Sequence, residues 1–232
     1  MPAVEQGVKP NTERRSEELN TKQIMINLAI LGVTIIAIKI FLPKTAHIGN
    51  KHHSAADQTI VIIPMAGIPI AFLTKLEKKL EEQHKTDVLV TTVLGKGDEM
   101  LIPNKDQYNA NYLAALGLEI GNRIHREDAF FIVLTNEDIN YPDSGFRYVY
   151  SAHYEGISVA SLARINNMNF GVIPRVIQIP EMFTKMQERA LKIINKAIGY
   201  GVYGYDASSN IGSVMYSPIM GPDDLDRVGN WY

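Results

Sequence analysis

Hydrophobic and polar positions divide the chain into three regimes. Residues 1–23 are polar and mixed in charge, with Glu5, Lys9, Glu13, Arg14, Arg15, Glu17 and Glu18 among them. From Ile24 to Leu42, sixteen of 19 residues are apolar or Gly, interrupted only by Asn27, Thr34 and Lys39. A polar stretch over 44–58 follows, and beyond it short apolar runs alternate with amphipathic ones. The β-branched run Thr59–Pro64 predicts a buried strand. Phe72, Leu73, Leu76 and Leu80, with Lys and Glu between them, predict an amphipathic helix over 71–83. Val88–Leu94 predicts a second strand, 106–124 a second helix and Ala129–Leu134 a third strand. This alternation implies parallel pairing through right-handed crossovers, hence an α/β fold. Two further extended runs, Phe146–Tyr150 and Ile157–Ile165, come next; the latter places Ile157, Val159, Ser161, Ala163 and Ile165 on one face. Phe183, Met186, Ala190, Ile193, Ile194, Ala197 and Ile198 then keep a 3.6-residue period over 181–200, which Gly199 and Gly201 bring to an end.

The apolar run changes the picture first. Nineteen residues in a helix rise about 28 Å, close to the ~30 Å hydrocarbon thickness of a bilayer. No polar stripe marks it as a core helix, and the 23 polar residues before it do not suit a cleaved leader. Residues 24–43 are therefore expected to be a signal anchor, with the membrane-spanning part over 24–42, Lys39 reaching toward the headgroups and Pro43 stopping the helix. Lys9, Arg14, Arg15 and Lys22 precede it, against Lys44 and Lys51 behind it. This bias places the N-terminus in the cytoplasm and the C-terminal domain in the periplasm or outside the cell, as a single-pass protein. The expected organisation is a leader over 1–23, the anchor over 24–43, a connector over 44–58 and one domain over 59–232.

Charge and cysteine content narrow the chemistry. A net charge of −2 and no basic stripe give no footprint for nucleic acid. The chain has no Cys, which removes disulfides, thiolate nucleophiles and Cys-ligated zinc.

Several short segments, in order, carry a resemblance. Ile62-Ile-Pro-Met-Ala-Gly67, Pro103-Asn-Lys-Asp-Gln-Tyr-Asn-Ala-Asn111, Leu134-Thr-Asn-Glu-Asp-Ile139, the run Ile157–Ile165, the long helix and Ser213-Val-Met-Tyr216 together resemble the archaemetzincins, a branch of the metzincin zinc peptidases. The resemblance covers about residues 59–220. It implies a metzincin-like mixed, twisted sheet with packed helices, behind one N-terminal transmembrane helix. It also implies an edge strand, here Ile157, Val159, Ser161 and Ala163, able to pair with an extended peptide. Ser213, Val214, Met215 and Tyr216 would form the Met-turn beneath the metal.

The zinc motif of the family, H-E-x-x-H-x-x-G-x-x-H, is degenerate here. One register puts Asn195, Gly199 and Tyr205 at the three His positions and Lys196 at the Glu. A shift by one gives Lys196, Tyr200 and Asp206 as ligands. No nearby register recovers a His; a lysine ammonium repels Zn²⁺, and a phenol with a pKa near 10 is a poor ligand at neutral pH. The second, Cys-rich zinc site of the family has no Cys to form it. Zinc is accordingly not expected as a cofactor, nor is any other. Of the six His, His47, His52 and His53 lie in the connector, His84 ends a helix, His125 sits between Arg123 and Arg126, and His153 precedes the extended run near Glu155. Tyr200, Tyr203 and Tyr205, interleaved with Gly, are expected to order by packing a segment that metal orders in the family.

The expectation is an inactive, membrane-anchored pseudopeptidase that binds a protein or peptide partner, as a subunit of a membrane assembly. The alternatives are a membrane-bound hydrolase with a rebuilt site around Lys196, Tyr200 and Asp206, a residual metallopeptidase, or a purely structural membrane subunit.

Overall fold

A computed structural model describes residues 58–126, 128–165 and 180–232, with side chains from Phe183 onward in the last stretch. A boundary between two units of the chain falls after Lys44, and every described residue lies in the second. The leader, the anchor over 24–43, His47, His52 and His53 lie outside the described residues.

The sheet grows from β1 (Ile60–Pro64), whose five residues are all buried. Helix α1 (Ile70–His84) returns the chain to β2 (Val88–Val90), parallel to β1 on one side. Helix α2 (Ala110–Arg123) carries it back to β4 (Phe130–Thr135), parallel to β1 on the other side. Two short segments, β3 (Tyr108–Asn109) and β5 (Ile139–Asn140), pair with each other in a small separate sheet. The hairpin β6 (Ser151–Tyr154) and β7 (Ile157–Ser161) then adds β7 parallel to β4 and β6 antiparallel outside it. The five-stranded order is β2-β1-β4-β7-β6. Helices α3 (Pro180–Gly201) and α4 (Pro222–Arg227) follow.

Both faces of the sheet are covered, so its central strands read as continuous apolar runs. Ile60, Ile62, Phe130, Ile132 and Leu134 meet Phe72, Leu76 and Leu80 of α1 and Met186, Ile194 and Ile198 of α3. On the opposite face Val61, Ile63, Phe131 and Val133 meet Leu113 and Ala114 of α2. Helix α2 comes close because Gly117 and Gly121 present no side chain there; a Cβ at Gly117 would sit 2.5 Å from Ile157 Cδ1. The second helix starts at Ala110 and not at 106, since Asn109 caps it by accepting from Asn111 N at 3.0 Å.

Two expectations are corrected. The extended run at Phe146–Tyr150 is largely loop, with Phe146 exposed and its carbonyl accepting from Asn140 Nδ2, and the strand forms four to five residues later, at Ser151–Tyr154. The run bearing Ile157, Val159, Ser161 and Ala163 is not an edge. Residues 157–161 are buried between β4 and β6, and Ala163 lies beyond the strand's end in a turn. Its alternation arose because each face meets a different apolar layer. The outer position belongs to β6.

Candidate functional site

The C-terminal half of α3 lies against β6 and β7, and its buried polar residues organise the site. Asn195 is 3% exposed. Its Nδ2 donates to Gln83 Oε1 at 3.2 Å, which turns Oδ1 toward His84 Nε2 at 2.9 Å. With Nε2 donating, His84 Nδ1 accepts from the Tyr203 hydroxyl at 2.8 Å. Tyr232 closes the group by donating to the Asn195 carbonyl at 2.9 Å. Burial lowers the His84 pKa against the opposing effect of Asn195, so the imidazole is kept neutral and fully bonded. Tyr203, Tyr205 and Tyr232 pack on one another with centroids 4.9–5.5 Å apart. Rings that close leave no gap for a ligand between them.

One residue on, Lys196 is 7% exposed, and its Nζ donates to the Tyr216 carbonyl at 2.6 Å. Burial pulls its pKa down to about 8. Gly199 gives the helix its close approach to the turn below: a Cβ there would lie 2.4 Å from Met215 Sδ. Met215 and Val214 are buried, and Ser213 Oγ accepts from Met215 N at 3.1 Å to hold the turn. The turn is tied outward by Ser208 N to Met215 O at 2.9 Å and Val214 N to Trp231 O at 2.7 Å. Thus Ser213–Tyr216 lies beneath α3 at the level of Gly199 and Lys196.

Tyr200 faces the outer hairpin. Its ring packs on His153 with centroids 4.3 Å apart, and burial followed by the Asp206 carboxylate raises its pKa. His153 lies in β6 itself, ahead of the turn into β7. Its Nε2 is 3.0 Å from Ser151 Oγ and its Nδ1 2.9 Å from Ser158 Oγ, across the hairpin. Burial, aided by the nearby Lys196 charge, lowers its pKa to about 3, so it is neutral at physiological pH. Tyr205 and Asp206 reach the surface.

The structure therefore brings together Asn195, Lys196, Gly199, Tyr200, Tyr203 and Met215, and it leaves Asp206 exposed and Ile157 and Val159 inside the sheet. Sequence reasoning missed His84, Gln83, Ser151, Ser158 and Tyr232. The last two turns of α1 carry the only sequence signal for the first pair, a Gln-His ending on an otherwise charged helix; the serines sit on a hairpin whose first strand, Ser-Ala-His-Tyr, has little hydrophobic signal.

Whether these side chains suit the zinc ion of a metzincin is a question of donors. In one register the ligand positions hold an amide already bonded to His84, a glycine and an exposed phenol; in the other, an ammonium bonded to a carbonyl, a phenol with a raised pKa and an exposed carboxylate. Neither set offers the three imidazole or carboxylate donors that hold zinc, and they do not fit it. Among the described residues no three His, Asp or Glu side chains converge.

No family model and no curated protein matches the chain. Solved structures do. Archaemetzincin from Archaeoglobus fulgidus, solved in complex with malonate, superposes with a TM-score of 0.57 at 20% identity over 75% of this chain and 95% of that one. A zinc-dependent peptidase from Methanocorpusculum labreanum gives 0.57 at 18% identity over 75% and 95%. Archaemetzincin from Methanopyrus kandleri gives 0.55 at 19% over 76% and 89%. The described part of this chain has an archaemetzincin-like fold.

Proposed function

We propose that the chain is a membrane-anchored, metzincin-like module that does not use zinc and binds a protein or peptide partner in extended form along β6. The observation that carries this reading is the commitment of the ligand-position side chains: Lys196 to the Tyr216 carbonyl, Tyr200 to His153 and Asn195 to His84. Strand β6 supplies the binding edge. Because Ser161 N donates to Tyr150 O at 2.8 Å, the main-chain groups of Tyr150, Ala152 and Tyr154 turn toward β7. Those of Ser151 and His153 turn outward, where a peptide strand could pair with them. The run 24–42 would hold the domain at the membrane, with residues 1–23 in the cytoplasm, residues 59–232 on the other side, and the chain as a subunit of a membrane assembly.

Two measurements on detergent-extracted full chain test this. Metal analysis should find substoichiometric zinc; one zinc per chain whose removal by chelator abolishes peptidase activity would refute the reading. Ser151→Pro removes an outward N–H that the domain's own ladder does not use. Peptides selected for binding should lose at least tenfold in affinity to this variant with Tm nearly unchanged, and equal binding excludes β6. Protease digestion of intact and permeabilised cells decides the orientation, the domain being cut only where it faces outward.

A further inference from the structure

Ser151, His153 and Ser158 form a chain of hydrogen bonds across the β6–β7 hairpin. Ser151 and His153 stand two apart on β6 and so share the face turned to α3; Ser158 opposes His153 directly on β7. Ser158 is fully buried and Ser151 half-buried. The imidazole is therefore pinned from behind by an interior hydroxyl, at 2.9 Å, and meets a more accessible hydroxyl in front, at 3.0 Å. With Nδ1–H donating to Ser158, the Nε2 lone pair faces the Ser151 hydroxyl. Tyr200, packed against the imidazole at a tilt of 36° with centroids 4.3 Å apart, restricts the ring's rotation. Lys196 adds a buried cation near enough to act on His153.

We propose that Ser151 is the nucleophile of an acyl-transfer site, with His153 as its base and Ser158 as the positioning residue, acting on the carbonyl of an ester or peptide laid along β6. The substrate's placement on β6 rests on the strand-addition reading above; the reactivity of Ser151 does not. Ser151 Oγ adds to the carbonyl carbon as its proton passes to His153 Nε2. The tetrahedral oxyanion forms in the field of the Lys196 ammonium. Collapse breaks the bond to the leaving alcohol or amine, which takes the proton from His153. Water then adds to the acyl-Ser151 ester, again losing its proton through His153, and releases the acid. No oxidant, metal or further reactant enters. The imidazole is neutral throughout the physiological range and weakly basic, so acylation is slow and is best read as accumulated adduct.

An alkyl fluorophosphonate tests the site on full chain in detergent. Attack of Ser151 Oγ on phosphorus breaks the P–F bond, fluoride leaves, and the proton passes through His153 to solvent. Mass spectrometry should find one adduct per chain, on the peptide containing Ser151, absent from heat-unfolded chain and from Ser151→Ala. His153→Gln should slow labelling at least tenfold. Ser158→Ala should slow it less and shift its pH profile, as expected of a group acting through the imidazole; should His153→Gln fail to fold, Ser158→Ala carries the test. No adduct on native chain, adducts spread over other serines, or a rate unmoved by these substitutions overturns the site. A chain that binds peptide but takes no adduct refutes the acyl-transfer site alone. One that is labelled but binds no peptide refutes strand addition alone.

Discussion

Lys196 shows how much a single position departs from the scaffold around it. Helix α3 carries it into a site only 7% exposed, where its one hydrogen bond goes to the Tyr216 carbonyl. Burial lowers its pKa from the usual 10.5 to about 8. For a cation lowered in this way the unfolded state binds the proton more strongly, so the penalty is full below about pH 8 and fades as pH rises through 10.5. It amounts to about 3 kcal/mol. Lys196→Met keeps the length, removes the charge and orphans one carbonyl, which costs about 1 kcal/mol. The variant should be more stable than the native chain by about 1–2 kcal/mol at pH 7, and chemical denaturation at pH 7, 8.5 and 10 should find the gain shrinking toward zero. A constant gain, or a loss at pH 7, would show that the ammonium is not buried at a cost. The misfit of Lys196 to zinc was legible in sequence, because it follows from residue type. Its partner was not, since nothing local links Lys196 to a carbonyl twenty residues on. The same holds for Asn195, whose partner His84 lies 111 residues away on another helix.

At the level of the element, legibility followed local period and failed where two strands compete for one role. Helices α1 and α3 emerged within a residue or two because each has a single apolar stripe facing one layer. The runs at β1 and β4 were legible as buried strands since every residue in them is apolar or β-branched. The edge was misassigned because Ser-Ala-His-Tyr carries almost no hydrophobic signal, whereas the interior strand β7 alternates strongly. Glycine at the end of α3 makes a sharper prediction. Replacing Gly by Ala in a helix normally gains about 1 kcal/mol. At Gly201, however, a Cβ would stand 1.9 Å from Phe130 Cε2, and Phe130 is fully buried in the sheet's core. Overpacking of that kind costs about 1–3 kcal/mol, enough to reverse the sign. Gly201→Ala should therefore lower Tm by several degrees, while Gly145→Ala, with open space around it, stays within about 0.5 kcal/mol of the native chain. Equal melting of the two variants would mean that α3 does not close on β4 there.

For the molecule as a whole, the open sheet was legible from strand-helix alternation, but the fastening of the C-terminal segment was not. Nothing in the periodicity of 202–232 says that it returns to α3. It does so through Tyr232 on Asn195, through Lys196 on the Tyr216 carbonyl, and above all through Arg189. This guanidinium is 8% exposed, grips Asp226 of α4 with Nε and Nη2 at 2.7 Å each, and donates also to the Ile165 carbonyl. Lys185 joins the same carboxylate at 2.9 Å. One residue of α3 thus ties together the exit of β7 and the helix after the Ser213–Tyr216 turn. The Arg189 guanidinium holds the Asp226 carboxyl well below the ordinary 3.8. A carboxyl lowered in this way contributes stability that is fully present above its unfolded value of 3.8 and is lost progressively as pH falls from there through the lower native value. Asp226→Asn should cost about 1–2 kcal/mol at pH 7, a charged hydrogen-bonded pair discounted for the partial exposure of the carboxylate. Urea denaturation of both chains should find that difference unchanged from pH 7 to 5 and narrowing below pH 4, as the carboxylate of the unfolded chain takes up a proton while the native one stays charged. If the difference is absent at pH 7, the fold around the Ser213–Tyr216 turn stands without this pair, and the tyrosine cluster on Asn195 carries the attachment instead.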